Sequence, residues 1–484
     1  MKNSIPYCSV IVLNYFGEKV IDSTIKSLLA LDYSKDSFEI IIVDNNSSDK
    51  SREIILNYTK KYNNIKHLFL DKNLGFAGGN NEGIKIAKGE YVALLNNDCV
   101  VNKSWLHELV KTAEKNPNIF AVTSKVVLYP KYYYLEFGYD NRLFLTHAYL
   151  SNSHLSNLEK SNKLKLDVSN KDSFYILETP FSPEDKVISV ELTFEINSQS
   201  RLKSYDELFY VLKDAHLFKK PVLLIMDNRI VIQFDFDVSK VNKNNAFEKI
   251  QNAGIVVFQD GSGRDIGAKI FEQTQYYEFD FGQYEKERQV YAACGAAVLY
   301  NKRILDIISY LDDSFFMYYE DVEISERARL NGYDIYYAPK AVVRHLHAFS
   351  SKEWSNFFIY QAEKGRLLHV FFNFPLRIFI KEYIKMILRI TEVGLRVIKG
   401  LADHQRTMRF VKSTIAYFRG SVSNEGRRRT DLGKVIQYIK VVFYFLFCLP
   451  VLITKRIRKN KSISQQMIEK NYSSILKGRW YFNR

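Results

Sequence analysis

The sequence predicts an α/β protein built on a doubly wound, mostly parallel β-sheet. Apolar runs at residues 8–13, 38–44 and 91–96 are nearly continuous, a pattern typical of strands that are buried on both faces. Segments with helical periodicity separate these runs, at residues 20–29 and 51–62. This alternation of strand and helix predicts crossover connections and therefore parallel strands.

Polar side chains follow the predicted strands at the points where they end. Asn14 follows the first strand, Asp44 the second, and Asn96–Asp98 the strand at 91–96, while Asn73 opens a glycine-rich segment. Ligands of doubly wound sheets bind outside the carboxyl ends of the strands. We therefore expect these residues to share one binding site.

The residue types at these strand ends suit a nucleotide. Asp44 and Asn46 could recognise a base and a ribose, and the segment "NLGFAGGNN" allows close backbone approach to phosphates. Asp98 is a suitable ligand for Mg²⁺ or Mn²⁺, which favour oxygen donors. The alternative is structural, since Asp44 and Asn46 could cap the next helix and the glycines could form a tight turn.

A second group of candidate residues lies far along the chain, in "YYEDVEIS" and after the strand that follows it. Glu320 or Asp321 could act as a general base from a helix start, or could simply cap that helix beside a Glu323–Arg327 pair. The histidines of "RHLH", His345 and His347, could contact a metal or a diphosphate, or could be ordinary buried or surface imidazoles.

The domain organisation is predicted from changes in texture along the chain. Residues 1–144 and 248–350 carry the α/β pattern, and 145–247 reads as an inserted β-rich module that includes a hairpin with Asp227-Asn228 at its turn. Residues 351–484 read as basic, amphipathic helices. The module could be a spacer, a lid or a sugar-binding sandwich.

The positive charge of the chain is concentrated at its end. Residues 351–484 contain 27 Lys and Arg against 8 Asp and Glu, although the formal net charge of the whole chain is only +15. We expect an anionic membrane surface as the partner of this region, with the apolar segment 441–453 lying in the interface. The alternative is a helical bundle packed on the catalytic domain with a solvated basic face. Nucleic acid is not expected, because no recognition motif accompanies the charge.

Cysteine usage and the first residues bear on the compartment. The four cysteines lie far apart without CxxC spacing, which argues against a disulfide framework or a zinc site. Residues 1–9 have no apolar signal-peptide core. We expect a cytoplasmic protein that is peripheral on the inner face of the cytoplasmic membrane.

Taken together, these motifs resemble the family-2 inverting glycosyltransferases of the GT-A fold, in particular their rhamnosyltransferase-like branch. The stretches that carry the resemblance are "SVIVLNYFGEKVIDSTIKSLL", "IIVDNNSSDKS", "NLGFAGGNNEGIKIAKGEYVALLNNDCVV", "CGAAVLY" and "DDSFFMYYEDVEISERARLNGYDIYYAPKAVVRHLHAFSS". They lie within residues 7–140 and 250–350 in the family's order. The implied fold is GT-A, Rossmann-like, with the β-rich module inserted and the amphipathic helices at the C-terminus.

The resemblance implies a role for each candidate residue. The nucleotide-diphosphate-sugar donor would contact the following residues: Leu13, Asn14, Asp44, Asn46, Asn73, Gly75, Asn96, Asn97 and Asp98. Asp98 and His345 would hold Mg²⁺ or Mn²⁺, and Asp321, with Glu320 beside it, would be the catalytic base. Asn96 stands where the family's metal-binding motif has its first aspartate, which predicts a weaker metal site that fills mainly together with the diphosphate.

The resulting expectation is an enzyme of the hexosyltransferase type. It would move a sugar, with rhamnose favoured by the branch, onto a hydroxyl group of a growing, lipid-linked surface glycan such as a polysaccharide, lipopolysaccharide or O-antigen of the cell envelope. The alternative from another class is a non-catalytic, membrane-associated glycan-binding or scaffold protein with a decayed transferase domain.

Overall fold

The computed structural model describes residues 5–128, 248–271, 274–280, 282–346, 355–402, 431–461 and 463–477, together with separate strands between 132 and 247. The chain forms two compact units. The first comprises residues 1–127, 250–276 and 283–484, and the second comprises 128–249 and 277–282. The sequence predicted an inserted module over 145–247.

The first unit is built on a mixed, mostly parallel sheet, with strands numbered in chain order across both units. Its strands are β1 Cys8–Asn14, β2 Phe38–Asp44, β3 Ile65–Phe69, β4 Tyr91–Asn96, β5 Cys99–Val101, β6 Ile119–Leu128, β18 Lys249–Asn252, β19 Ile255–Val257, β20 Gly263–Asp265, β21 Ala268–Phe271, β22 Thr274–Phe279, β23 Arg288–Gln289, β24 Ala297–Asn301 and β25 Asp334–His345.

The order of strands in this sheet places a topological switch point at the end of β1. The order is β18, β6, β24, β4, β1, β2, β3, and β1 pairs in parallel with both β2 and β4. The chain therefore moves outward from β1 to β2 and β3 and then returns to the other side of β1 as β4. A crevice outside the carboxyl ends of β1 and β4 is where such sheets bind ligands.

Helices cover both faces of the sheet. Their bounds are α1 Ile21–Leu29, α2 Ser51–Lys61, α3 Gly75–Ile86, α4 Trp105–Ala113, α5 Lys302–Ile308, α6 Glu320–Leu330, α7 Asn356–Asn373, α8 Leu376–Ala402, α9 Asp431–Lys459 and α10 Gln465–Leu476, with a 3₁₀ turn at Lys35–Ser37. Alternate residues of β1 enter opposite cores, because Val10 and Val12 pack with α1 and α4 whereas Ile11 packs with α3. The continuous apolar strands of the sequence have this cause, and the predicted fold class is confirmed.

Two segments near the strand ends have a local structure that the sequence analysis did not specify. The glycine-rich segment is helical from Gly75, where α3 begins; a side chain at Gly79 or Gly83 would lie 2.5 Å from Leu13 or 2.7 Å from Ile11, so these glycines let the helix approach the sheet. Helix α6 begins only at Glu320, because the preceding residues adopt left-handed backbone conformations.

The second unit consists of β-strands that form three antiparallel sheets. The strands are β7 Tyr132–Tyr133, β8 Glu136–Tyr139, β9 Leu143–Asn152, β10 Leu164–Asp167, β11 Phe174–Leu177, β12 Thr179–Pro180, β13 Val187–Ile196, β14 Phe209–Tyr210, β15 Val222–Met226, β16 Arg229–Asp237 and β17 Ala246–Phe247. The sheet orders are β15-β16-β13-β9, β10-β11-β8-β14 and β12-β7-β17. Strands β15 and β16 pair antiparallel, as the hairpin prediction required; the turn residues Asp227 and Asn228 lie outside the described residues.

The C-terminal helices belong to the first unit and pack on its α/β part. Apolar side chains of α7, α8, α9 and α10 share a core with β19 and with Val322 of α6. Among the described residues, the segment Gly433–Lys459 of α9 is long and apolar enough to cross a membrane by length and composition. The triplet Arg427–Arg429, singled out in the sequence as a basic run, lies outside the described residues.

Candidate functional site

A buried polar network joins the carboxyl ends of β1, β2 and β4. The Asn14 amide donates to Asp44 Oδ2 at 2.7 Å, and its oxygen accepts from the Asn97 amide at 3.1 Å. Asp44 Oδ1 also accepts from Arg52 Nε at 2.6 Å and from the Ser47 N–H at 3.0 Å. The sequence prediction that these strand ends converge agrees with this geometry. Asn14 and Asp44 are fully buried, so in this arrangement they fix the shape of the crevice from below.

A second polar cluster forms the rim of the crevice above β2. The Asn45 amide nitrogen donates to Asn73 Oδ1 at 2.9 Å, and the N–H of Gly75 donates to the same oxygen at 2.8 Å. Asn46 is exposed, with a left-handed φ of 67°, and Leu13 packs against Gly79. Asn46 and Asn73 are therefore the members of this group that a bound molecule can reach.

The N-terminus of α3 is capped by a distant backbone carbonyl. The N–H groups of Phe76 and Ala77 donate to the oxygen of Phe316 at 2.6 and 3.2 Å. Gly75 has a φ of +74°, and a Cβ there would lie 2.4 Å from that oxygen, so only glycine fits. The glycine-rich segment is thereby tied to the chain that leads into α6.

The segment before α6 is unusually strained. Phe316, Tyr318 and Tyr319 all have positive φ, of 63°, 69° and 72°. Each such conformation costs about 1–3 kcal/mol in a bulky residue, and it persists only where surrounding contacts hold it. Conformations of this kind concentrate at functional sites, and this segment delivers Glu320 and Asp321 to the sheet edge.

Glu320 and Asp321 begin α6 in different environments. Asp321 Oδ2 accepts from the Gly295 N–H at 2.9 Å and its Oδ1 accepts from Val322 N–H at 2.8 Å. Glu320 is buried, and its Oε2 has no hydrogen-bond partner among the described residues. Burial raises the pKa of both carboxyl groups, and the charge of Asp321 raises the pKa of Glu320 further. The ion pair between Glu323 and Arg327, which the sequence analysis gave as part of a purely structural alternative, does form, with 2.8 Å between Arg327 Nη2 and Glu323 Oε2.

One short turn connects Asp321 with the end of β4. Gly295, which donates to Asp321, precedes Ala296, whose oxygen accepts from the Asn96 N–H at 3.0 Å. A side chain at Gly295 would lie 3.4 Å from both Asp321 and the ring of Phe76. More than 200 residues separate Asn96 from Asp321 in the sequence, and the sheet brings them together.

Asp98 and His345 meet beside Asn96. His345 Nε2 lies 3.0 Å from Asp98 Oδ1 and 3.4 Å from the Asn96 amide nitrogen, and its Nδ1 lies 2.7 Å from Gln251 Oε1. Because a carboxamide oxygen only accepts, Nδ1 donates to Gln251, and Nε2 is the ring nitrogen that faces Asp98. The other predicted histidine, His347, lies outside the described residues.

This pair has the donor chemistry of a divalent metal site. The ligand atoms of Asp98, His345 and Cys99 lie within 4.8 Å of one another. Burial, with the neighbouring Asp98 charge, raises the pKa of the Cys99 thiol well above its usual range, and the hard ions Mg²⁺ and Mn²⁺ favour oxygen over sulfur ligands. A carboxylate oxygen and an imidazole nitrogen remain, which suits Mn²⁺ or Mg²⁺ that completes its coordination with water and phosphate oxygens.

Several residues of the site were missed in the sequence. Gln251 orients His345, the Phe316 carbonyl accepts from the start of α3, and the Gly295 N–H donates to Asp321. A polar residue in the buried strand β18 was a usable signal for Gln251. Backbone donors and acceptors such as Gly295 and Phe316 leave no trace in the identity of a side chain.

Two family models match the chain. Residues 9–166 match glycosyl transferase family 2, and residues 241–366 match glycosyltransferase-like family 2. The chain carries glycosyltransferase family 2 domains. The first match includes the ends of β1, β2 and β4, the second includes α6, and the domains agree with the mixed, mostly parallel GT-A type sheet. The rhamnosyltransferase-like branch is not distinguished by these matches.

Relatives of these domains have glycosyltransferase names. Glycosyltransferase AglE of Haloferax volcanii is 30% identical over 112 residues, which are 23% of this chain and 37% of that protein. Poly-beta-1,6-N-acetyl-D-glucosamine synthase of Staphylococcus epidermidis is 36% identical over 115 residues, 24% of this chain and 27% of that protein. A crystal structure of S. aureus TarS 1–349 with UDP-GlcNAc is 30% identical over 25% of this chain and 34% of that one, with a TM-score of 0.23. The chain thus spans well under half the length of these relatives.

The buried network yields a stability prediction at Asn14. Asn14→Asp would place a second carboxylate at hydrogen-bond distance from Asp44, in a place without water. We expect the free energy of unfolding at pH 7 to fall by about 3 kcal/mol or more, because a like-charge pair replaces a hydrogen bond. Urea unfolding measures it. Asn63→Asp, at an exposed position, is the control; equal effects of the two substitutions would contradict the role of the network.

Proposed function

We propose that this protein is an inverting glycosyltransferase that moves a sugar from a nucleotide-diphosphate-sugar to a hydroxyl group of a surface glycan. The observation that carries the proposal is the short path from Asp98 and His345 through Asn96 and Ala296 to Asp321. A candidate metal-diphosphate site and a candidate base thus lie at one sheet edge. The TarS structure was solved with UDP-GlcNAc, which supports a nucleotide-sugar donor of this class.

The donor would lie along the crevice between β1 and β4. Asn46 and Asn73 would contact the nucleoside from the rim, while Leu13, Asn14, Asp44 and Asn97 form the floor. The N-terminus of α3 gives this edge a partial positive charge that favours an anion, although its first N–H groups are used by Phe316. Rhamnose remains the branch-based expectation for the sugar.

Asp321 would act as the general base. Hydrogen bonds from Gly295 and Val322 fix its carboxylate, and each oxygen keeps a further lone pair for the proton of the acceptor hydroxyl. The acceptor oxygen attacks the anomeric carbon from the face opposite the leaving group, and the nucleoside diphosphate departs, which inverts the configuration. Glu320 is buried beside Asp321, and burial together with the charge of Asp321 raises the pKa of its carboxyl group well above the usual range.

Asp98 and His345 would hold Mg²⁺ or Mn²⁺. When bound, such an ion supplies charge that stabilises the diphosphate as it leaves. Gln251 keeps the His345 ring in the tautomer that presents Nε2, and Asn96 contributes an uncharged amide beside it. Because the protein would supply only one carboxylate and one imidazole, we expect metal binding to be weak unless the diphosphate is also bound.

The competing proposal is a glycan-binding scaffold with a decayed transferase domain. The strained turn and the unpartnered Glu320 oxygen favour an enzyme, because a scaffold gains nothing from their cost. A panel of nucleotide sugars, tested with Mn²⁺ and Mg²⁺ for nucleotide release, separates the two. Release from at least one donor is expected; absence of both release and binding for every donor would favour the scaffold.

Replacing the base should separate chemistry from binding. Asp321→Asn keeps the size of the side chain and one of its two acceptor oxygens but cannot take a proton, so we expect kcat to fall by about 10³-fold or more while donor Kd changes little. Asp306→Asn, on an exposed helix of the same unit, is the matched control. Unchanged transfer by the Asp321 variant would overturn the assignment.

The pH profile of transfer tests the burial of this pair. A base works deprotonated, and the pKa of Asp321 is raised, so activity should be lost as the pH falls through a value above the usual carboxyl range near 4. Burial raises this pKa, so Glu320→Gln, which leaves Asp321 buried, should leave the acidic limb in place. An acidic limb within the usual carboxyl range near 4 would contradict a buried base.

Metal binding can be measured without turnover. Calorimetric titration of Mn²⁺ should show weak binding to the protein alone and at least about tenfold tighter binding when a nucleoside diphosphate is present, since its oxygens complete the coordination. Asp98→Asn and His345→Gln should each abolish this gain. His67→Gln, at an exposed strand position, should not. Binding that is as tight without diphosphate as with it would contradict the proposed ligand set.

The exposed apolar side chains of the C-terminal helices support a location at a membrane surface. A lipid-linked acceptor would be anchored in the same membrane. One side of α8 and α9 joins the core, and the opposite side leaves large apolar side chains exposed. These are Leu376, Ile380, Ile384, Ile387, Leu388, Phe443, Leu446, Phe447, Leu449, Val451, Ile453 and Ile457. Exposed basic residues flank them, among them Lys381, Arg389, Arg458 and Lys461. An apolar surface of this size beside positive charge suits an anionic lipid surface.

Membrane association is tested with vesicles. Phe447→Glu places a charge on the most exposed of these side chains, which is 79% exposed, and should reduce cosedimentation with vesicles that contain anionic lipid. Ile307→Glu, 63% exposed but on α5, is the control and should have no effect. Equal binding of both variants to anionic and neutral vesicles would contradict a membrane role for α8 and α9.

A further inference from the structure

Two lysines at the end of α9 contact the segment that leads to the candidate base. Lys459 Nζ lies 2.7 Å from Asp312 Oδ2 and 2.7 Å from Glu323 Oε1. Lys455 Nζ lies 3.1 Å from both Asp312 Oδ1 and Asp313 Oδ1, and it donates to Ser314 Oγ at 2.5 Å. We call residues 312–319 the catalytic turn. The two lysines thus contact the first residues of this turn, and Lys459 also contacts Glu323 in the first turn of α6.

These ion pairs are not ordinary surface contacts. The side chains of Asp312 and Glu323 are 5% and 0% exposed, and that of Lys459 is 16% exposed. Burial alone would raise the pKa of either acid, but the lysine charges, with Arg327 at Glu323, outweigh it and hold both pKa values below their usual range. Both acids are therefore ionised, and removal of Lys459 would leave Asp312 with Lys455 and Glu323 with Arg327, each with one positive partner fewer.

The catalytic turn needs contacts of this kind. Its residues Phe316, Tyr318 and Tyr319 have positive φ, a conformation that only surrounding structure maintains. The other restraints are the Phe316 carbonyl on α3, the Gly263 N–H that donates to the Tyr319 hydroxyl at 3.1 Å, and Lys364, which donates to the Ser314 carbonyl at 3.0 Å. The α9 lysines contact the first residues of the turn, from Asp312 to Ser314.

The face of α9 that carries these lysines is continuous with its buried face. Val441, Phe445 and Leu452 are buried on the side that packs against α7 and α8, and Lys455 and Lys459 continue that side at helical spacing. Lys459 also lies 4.3 Å from the ring centre of Phe372 in α7. The position of the lysines is thus set by the packing of α9.

We propose that Lys455 and Lys459 are positioning residues for glycosyl transfer, which hold the catalytic turn so that Asp321 meets the acceptor. The proposal rests on the proposed function. It implies that a helix outside the nucleotide-binding fold controls the rate of the chemical step and not the binding of donor. Both lysines act through Asp312 and Glu323, and neither touches substrate.

The test compares kinetics of Lys459→Met, Lys455→Met and Lys459→Arg in the full chain, with Lys440→Met, an exposed lysine of the same helix, as the control. We expect kcat to fall on the order of 10- to 100-fold in Lys459→Met, as for a small misplacement of a catalytic group, with donor Kd within about twofold. Lys455→Met, at a more exposed position, should show a smaller fall. Lys459→Arg should restore most of the rate, and Lys440→Met should leave it unchanged.

A double-mutant cycle separates positioning from general destabilisation. Asp312→Asn removes one of the two acids that Lys459 contacts. In that background Lys459→Met should reduce kcat by less than it does in the wild-type background. Urea unfolding of each variant, run alongside, identifies any that is unfolded under assay conditions, and Lys455→Met then carries the test. Unchanged kcat in folded Lys455→Met and Lys459→Met, or independent effects of Lys459→Met and Asp312→Asn, would overturn this inference. A wild-type protein without transfer from any donor would instead contradict the proposed function.

Discussion

The carbonyl group of Phe316 joins the two halves of the candidate site. It accepts from the first N–H groups of α3, and so it fixes the glycine-rich segment beside β1 and at the same time the turn that delivers Asp321. Gly75 must be glycine for this contact to form, and the left-handed residues after Phe316 are its conformational cost. Hydrogen bonds between backbone groups therefore fix the position of the donor rim relative to the candidate base.

The remaining polar groups divide between support and chemistry. Asn14 and Asp44 are buried with their hydrogen-bonding atoms used, and they hold three strand ends together. Asp98, His345 and Asp321 lie where the crevice opens, with their orientation set by Gln251 and Gly295. The C-terminal helices add a second layer of support, because α9 restrains the catalytic turn with one face and exposes an apolar surface with the other.

Much of this arrangement follows from the sequence, for a physical reason. Continuous apolar strands that end in Asn14, Asp44 and Asn96 are typical of a parallel sheet covered on both faces, and such a sheet brings its carboxyl ends together. The convergence of Asp98 with His345 needed the family resemblance, because no periodicity relates residues so distant. The strained turn at 312–319 and its ion pairs with Lys455 and Lys459 were not predicted, since strained backbone and carbonyl contacts leave no pattern in residue types.

The stereochemistry of transfer tests the central claim most directly. Direct attack on the anomeric carbon by a hydroxyl group that Asp321 deprotonates inverts the configuration of the sugar. Proton NMR of the product formed from an anomerically pure nucleotide sugar measures this configuration. We expect a product of opposite anomeric configuration to the donor, and no such product with Asp321→Asn. A product that retains the donor's configuration would contradict a single-displacement reaction at this site.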